Sequence, residues 1–187
     1  DEGEEEGREK CMRKAYLLTG GPGVGKTTII KRALEKAQVA AGGFFTEEIR
    51  GGGVRQGFRI VTLEGDSAIL AHIDIRSPYR ISKYGVDIEG LDRVGVAALR
   101  EATRERDLIV IDEIGKMELF SPSFQLAVSD AINGEKRILG TIMRSSHPWA
   151  DEIKQHPNVV ISTVTRTNHS EVLRQVLDWL SSLTNGI

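Results

Sequence analysis

Gly20-Gly21-Pro22-Gly23-Val24-Gly25-Lys26-Thr27 fits the pattern G-x-x-x-x-G-K-[ST]. Glycines at this spacing let consecutive backbone N–H groups turn inward around a phosphate chain, where larger side chains would obstruct the approach. Lys26 is then placed to reach β- and γ-phosphate oxygens, and the Thr27 hydroxyl to ligate Mg²⁺. A helix starting here, through Thr28, would point the positive end of its dipole at the anion.

A phosphate loop needs a carboxylate on its far side to hold magnesium. Leu108-Ile109-Val110-Ile111-Asp112-Glu113 supplies one at the end of an aliphatic run. Asp112 is the candidate metal residue. Glu113, directly after it, alternates to a different direction and could reach a water lined up on the γ-phosphate, which makes it the candidate general base. An acid in this second position points to a hydrolase of the ATPase branch. Transfer to an acceptor by a nucleotide or small-molecule kinase, or slow hydrolysis that times partner binding, would use the same residues. No compact arginine-rich lid pattern follows, which favours water as the acceptor.

The elements that must position these groups follow from periodicity. Ala15–Thr19 reads as a buried strand, and 27–38 as an amphipathic helix with Ile29, Ile30, Ala33, Leu34 and Ala37 on its apolar face. Gly43–Phe45 gives a short strand. From Arg50 to Ala71 the alternation of Phe58, Ile60 and Thr62 between glycine-rich turns predicts antiparallel hairpin strands, an insertion over about 46–72 at a sheet edge. Residues 88–104 return to helical spacing, and Leu108–Ile111 reads as a strand buried on both faces. Ser121 and Pro122 open a helix to Ile132; 137–142 and 159–164 are further strands, and 168–183 is the closing helix. The alternation predicts an α/β fold with a mainly parallel sheet flanked by helices.

At 187 residues the chain suits one domain, here 12–187. Residues 1–11 carry six acids against two bases, leaving 21 acids against 23 bases elsewhere. That start is expected to be a disordered acidic extension, since Met12 would make a natural beginning. One cysteine, Cys11, cannot form an internal disulfide, which suits the cytoplasm. There is no apolar run of membrane-spanning length. Without a strongly basic face or interleaved aromatics, nucleic acid is an unlikely partner, and no protein partner is readable. The four histidines show no pair at metal-ligand spacing; His147-Pro148-Trp149 and His156-Pro157 read as turns, with Trp149 as a half-buried anchor.

"DEIGKMEL" (112–119), with "TGGPGVGKTT", "GGFFTEEIR" and "GFRIVTL", resembles the nucleoside-triphosphatase family first described from thermophiles, the cancer-related nucleoside-triphosphatase family. The similarity runs from about Lys14 to Leu183. It implies a RecA-like P-loop core and Mg²⁺-dependent hydrolysis of several nucleoside triphosphates to diphosphate and phosphate. In such a core the strand after the acidic one lies between it and the phosphate-loop strand, so Thr141 would face the γ-phosphate as a polar sensor. Lys116 belongs to the shared motif and could swing toward the phosphates to offset transition-state charge; Glu118 could merely pair with it. Glu47, Glu48 and Arg50 could orient water, touch metal-bound waters, receive a second substrate, or be solvated loop charges. Asn168 could contact base or ribose, but a helix N-cap is reason enough for it. No residue named here reads a base edge. ATP, GTP, CTP and UTP are therefore expected to be hydrolysed within about tenfold of one another, with Asn168 and the Tyr84 loop the places where a base pocket would appear.

Overall fold

The computed structural model describes residues 2–182. The aliphatic run Leu108–Ile114 becomes strand β7, buried on both faces as its continuous apolar character requires. Successive side chains point to opposite sides. Ile109 and Ile111 enter one core with Phe44, Leu99, Phe124 and Val128, whereas Leu108 and Val110 enter the other with Ile30, Leu139, Val176 and Trp179. Each buried Leu, Ile or Phe contributes roughly 1.5–3 kcal/mol over its exposed state, and these two layers carry the fold.

Around β7 the described residues form one nine-stranded sheet. Strands β1 (Ala15–Thr19), β2 (Ala41–Gly51), β8 (Arg137–Ile142) and β9 (Val159–Thr163) complete the parallel part, in the order β2-β7-β8-β1-β9. The acidic strand and the phosphate-loop strand are thus separated by β8, as expected. Gly43, at φ +112°, allows β2 to lie against β7; a Cβ there would sit 2.0 Å from the Val110 carbonyl oxygen.

Helices α2 (Lys26–Ala37) and α7 (His169–Ser181) cover one face. The expected closing residue Leu183 lies outside the described residues. The opposite face carries α5 (Pro122–Asn133), opened by Ser121 Oγ accepting from the Phe124 amide, and a helical run from Ile88 to Glu105. That run is α3 (Ile88–Gly90), a π-helical Leu91–Val96 and α4 (Ala97–Glu105).

Three local expectations change. β2 runs on to Gly51, because its outer half pairs antiparallel with β3 (Val54–Thr62), and β4 (Ser67–His72), β6 (Tyr84–Val86) and β5 (Arg80–Ile81) extend the meander past residue 72. His147-Pro148-Trp149 opens a helix, α6 (Pro148–Gln155): His147 Nδ1 accepts from the Trp149 amide, and proline occupies a first-turn position where no donor is needed. Trp149 is half-buried against the core, as expected. The sequence predicts a disordered acidic extension over residues 1–11; Glu2–Met12 instead form helix α1, whose first turn holds Glu2, Glu4 and Glu5 at the favourable end of its dipole.

Candidate nucleotide site

Parallel strands present their carboxyl ends on one edge, and the loops leaving that edge form the site. β1 delivers the Gly20–Thr27 loop there, β7 delivers Asp112 and Glu113, and β8 delivers Thr141. Gly25 stands at the start of α2 with φ +100°, and a side chain there would also strike the His169 ring, 2.8 Å from a Cβ. Lys26 Nζ lies over the loop, donating to the Gly20 carbonyl at 2.8 Å.

The register of β7 against β8 explains how two successive carboxylates reach one place. Ile111 pairs with Gly140 and Ile114 with Ile142, so Asp112 and Glu113 together oppose Thr141. Two residues against one make a bulge, which redirects side chains that would otherwise alternate. Both Asp112 and Glu113 consequently line a cavity of about 470 Å³ with Gly20, Pro22, Lys26 and Thr27.

Asp112 is buried. Its Oδ2 accepts from the Thr27 hydroxyl at 2.5 Å and its Oδ1 from the Thr141 hydroxyl at 2.7 Å. Thr46, on β2, donates to the Asp112 carbonyl at 2.8 Å and ties the neighbouring strand to the same residue. Burial raises the Asp112 pKa; the two hydroxyls and then Lys26 oppose that rise. A buried carboxylate whose direct side-chain partners are neutral hydroxyls is short of positive charge, and hard oxygen donors are what Mg²⁺ takes. Thr27 and Asp112 therefore fit the ion.

Glu113 is half-buried. Desolvation raises its pKa, Lys26 pulls it back, and the Asp112 charge raises it further. Lys116 is exposed on the cavity rim.

Several side chains have surroundings that the sequence alone does not show. Thr141 is fully buried and does not line the cavity; its hydroxyl is spent on orienting Asp112. Thr28 is exposed on α2, and Gly21, Gly23, Val24 and Gly25 complete the loop without lining this cavity. Glu118 is not a surface partner of Lys116. It is buried on the 3₁₀ turn after β7, where desolvation and then the Glu113 charge push its pKa up to about 8. Its Oε2 and Glu113 Oε1 close on the same point, 2.9 and 2.7 Å from where a Gly115 Cβ would stand, so a side chain there would push the two carboxylates aside. Asn168 occupies the N-cap position of α7 without capping it: its Oδ1 accepts from the Thr165 amide and its Nδ2 donates to the Thr163 carbonyl.

Glu47 is exposed, while Glu48 binds Arg50 at 2.7 Å and Arg55 at 3.2 Å on the meander. Those two arginines hold the Glu48 carboxyl below its usual range. Tyr84 is buried, its hydroxyl taken by Arg55 Nε at 3.0 Å.

Sequence reading missed three neighbours of the loop. Arg144 follows β8 and its guanidinium lies 3.6 Å from a Cβ position at Gly21, with no charge motif to announce it. Met143 joins it in the cavity wall. The His169 ring packs on Gly25 with a buried Nε2 that has no hydrogen-bond partner among the described residues.

A family model described as NTPase matches residues 15–177. A nucleoside-triphosphatase THEP1 of Thermotoga sp. (strain RQ2) is 47% identical over 164 residues, covering 88% of this chain and 94% of the relative. Among solved structures, THEP1 from Aquifex aeolicus superposes with a TM-score of 0.80 at 36% identity, covering 89% of this chain and 98% of that one. A human cancer-related nucleoside triphosphatase gives 0.77 at 37% identity, with 91% and 98% covered.

Proposed function

The chain belongs to this NTPase family, and from that premise we propose that it hydrolyses nucleoside triphosphates to diphosphate and phosphate, with Mg²⁺ and with broad tolerance of the base. The meeting of Lys26, Asp112 and Glu113 on one cavity at the mouth of a glycine-rich loop is the observation that carries this reading. The backbone N–H groups of the Gly20–Thr27 loop, which Pro22 lacks, bind and orient the phosphates. Lys26 exchanges the Gly20 carbonyl for β- and γ-oxygens, a contact that grows stronger as charge develops there. Thr27 and Asp112 would hold Mg²⁺, which neutralises phosphate charge when bound. Thr141 and Thr46 keep Asp112 aimed, so their part is positioning.

Glu113 accepts the proton of the attacking water at its carboxylate. A raised pKa makes it a stronger acceptor than a free glutamate, provided it is ionised at the working pH. Lys116 reaches in from the rim toward the γ-phosphate.

Base tolerance rests on where the polar groups are spent. Both functional groups of the Asn168 amide close its own loop, and the Tyr84 hydroxyl serves Arg55. Large discrimination needs buried donors and acceptors that a wrong base leaves unpaired. Among the described residues no helix is long and apolar enough to cross a membrane, and a single cysteine suits the cytoplasm, where we place the protein.

Incubation of the purified chain with each of ATP, GTP, CTP and UTP at saturating Mg²⁺, with free phosphate measured, tests the reading. Values of kcat/KM within about tenfold are expected, equivalent to roughly 1.4 kcal/mol. A preference of several hundredfold would reveal a base-reading pocket, and absence of phosphate release would overturn the activity itself.

A further inference from the structure

The cavity at the phosphate loop is longer than its chemistry requires. Lys26, Thr27 and Asp112 fix where the β- and γ-phosphates lie, and Glu113 stands at the γ end. Past Glu113 the wall continues into Phe58 of β3, Leu70 of β4, Ile81 of β5 and Met117. These four side chains offer neither phosphate nor water a strong hydrogen bond.

A second hollow of about 400 Å³ opens from the same wall, sharing Phe58, Ile81 and Met117. It adds Arg50, Arg55 and Lys83. Glu48 pairs with both arginines, and the Lys83 ammonium lies against the Tyr84 ring with no carboxylate partner among the described residues. The hollow is therefore net positive. Arg55 lies 5.1 Å above the Phe58 ring and Lys83 5.6 Å from the Tyr84 ring, so cationic and aromatic surfaces alternate. An apolar floor with a few convergent charges is the make-up of a small-molecule site.

Resting on the nucleotide-site reading above, we infer that this recess is a second-ligand site, taking a small organic anion with a flat apolar body. The body lies against Phe58, Ile81 and Met117, and the anionic group meets Lys83 and the two arginines. A ligand seated there rests on Phe58, Ile81 and Met117, the stretch of wall that the recess shares with the cavity holding Glu113.

Phenyl phosphate serves as the probe, titrated calorimetrically into the full chain and into the variants Lys26→Ala, Lys83→Glu and Ile81→Asp. The same four proteins are assayed for phosphate release from ATP. Saturable binding to the parent protein is expected, retained within about threefold in Lys26→Ala and weakened at least about tenfold in Lys83→Glu and Ile81→Asp. Phosphate release should be unchanged in Lys83→Glu, whose side chain is exposed and does not line the phosphate-loop cavity. No binding, or binding that vanishes in Lys26→Ala and survives in the other two, would overturn the proposal by confining the anion to the phosphate loop. Displacement of the probe by adenosine, with a raised KM for ATP in Ile81→Asp, would overturn it by giving the recess to the substrate's own base. Failure of the parent protein to release phosphate would count against the NTPase reading alone.

Discussion

Thr27 and Asp112 are 85 residues apart in sequence, yet the hydroxyl of one donates to Oδ2 of the other at 2.5 Å. This bond closes the phosphate loop onto the β7 carboxylate, and a third residue, Thr141, holds the other oxygen of the same group.

Replacing Asp112 by asparagine keeps its size but removes the charge that holds a divalent ion. The Mg²⁺ concentration for half-maximal hydrolysis should rise by roughly tenfold or more. Thr141→Val should shift it in the same direction by about 10–100-fold, the usual effect of removing a residue that orients a ligand, and Thr141→Ser should restore it. A Mg²⁺ titration of the three variants checks this; unchanged metal dependence in Asp112→Asn would move the ion elsewhere.

Glu118 supplies a pH test of folding. Its folded pKa of about 8 lies above the ordinary glutamate value of 4.5, so between these pH values the folded chain keeps a proton that the unfolded chain has released. Stability from this group is full below about 4.5 and declines as pH rises through about 8. Glu118→Gln should flatten that decline and raise the melting temperature at pH 8–9 by a few degrees, about 1 kcal/mol or more for a chain of this size. Melting curves from pH 5 to 9 check it; parallel profiles for the two proteins would contradict a buried, protonated Glu118.

Lys116 reaches the cavity from an exposed rim position. If it meets charge that exists only in the transition state, Lys116→Ala should lower kcat by roughly tenfold to a hundredfold with little change in KM. Initial-rate kinetics decide this, and equal constants would return the lysine to the solvated surface.

Much of this site was legible in sequence because its parts are local. The glycine spacing before Lys26, the aliphatic run before Asp112 and the Ser121-Pro122 helix start each carry their own signal within a few residues. What escaped depends on register and packing. A bulge that sets two residues of β7 against Thr141 has no sequence signature, so the bond from the Thr141 hydroxyl to Asp112 could not be read from the chain. Glu118 read as no more than a pairing partner for Lys116, because its burial depends on how the turn after β7 packs. His147 read as part of a turn because an imidazole cap is rarer than Ser, Thr, Asp or Asn. The outer strands β5 and β6 are two and three residues long, too short for any alternation to show.

Single-turnover phosphate release by Glu113→Gln, measured beside its affinity for Mg²⁺-ATP, tests most directly whether the β7 carboxylates perform water attack on the γ-phosphate. The amide keeps the shape of the side chain and loses the proton acceptor. Affinity within about threefold of the parent is expected, with release slowed roughly 10²–10⁴-fold. Near-parental release at normal affinity would show that another group takes the proton and that Glu113 is not the base.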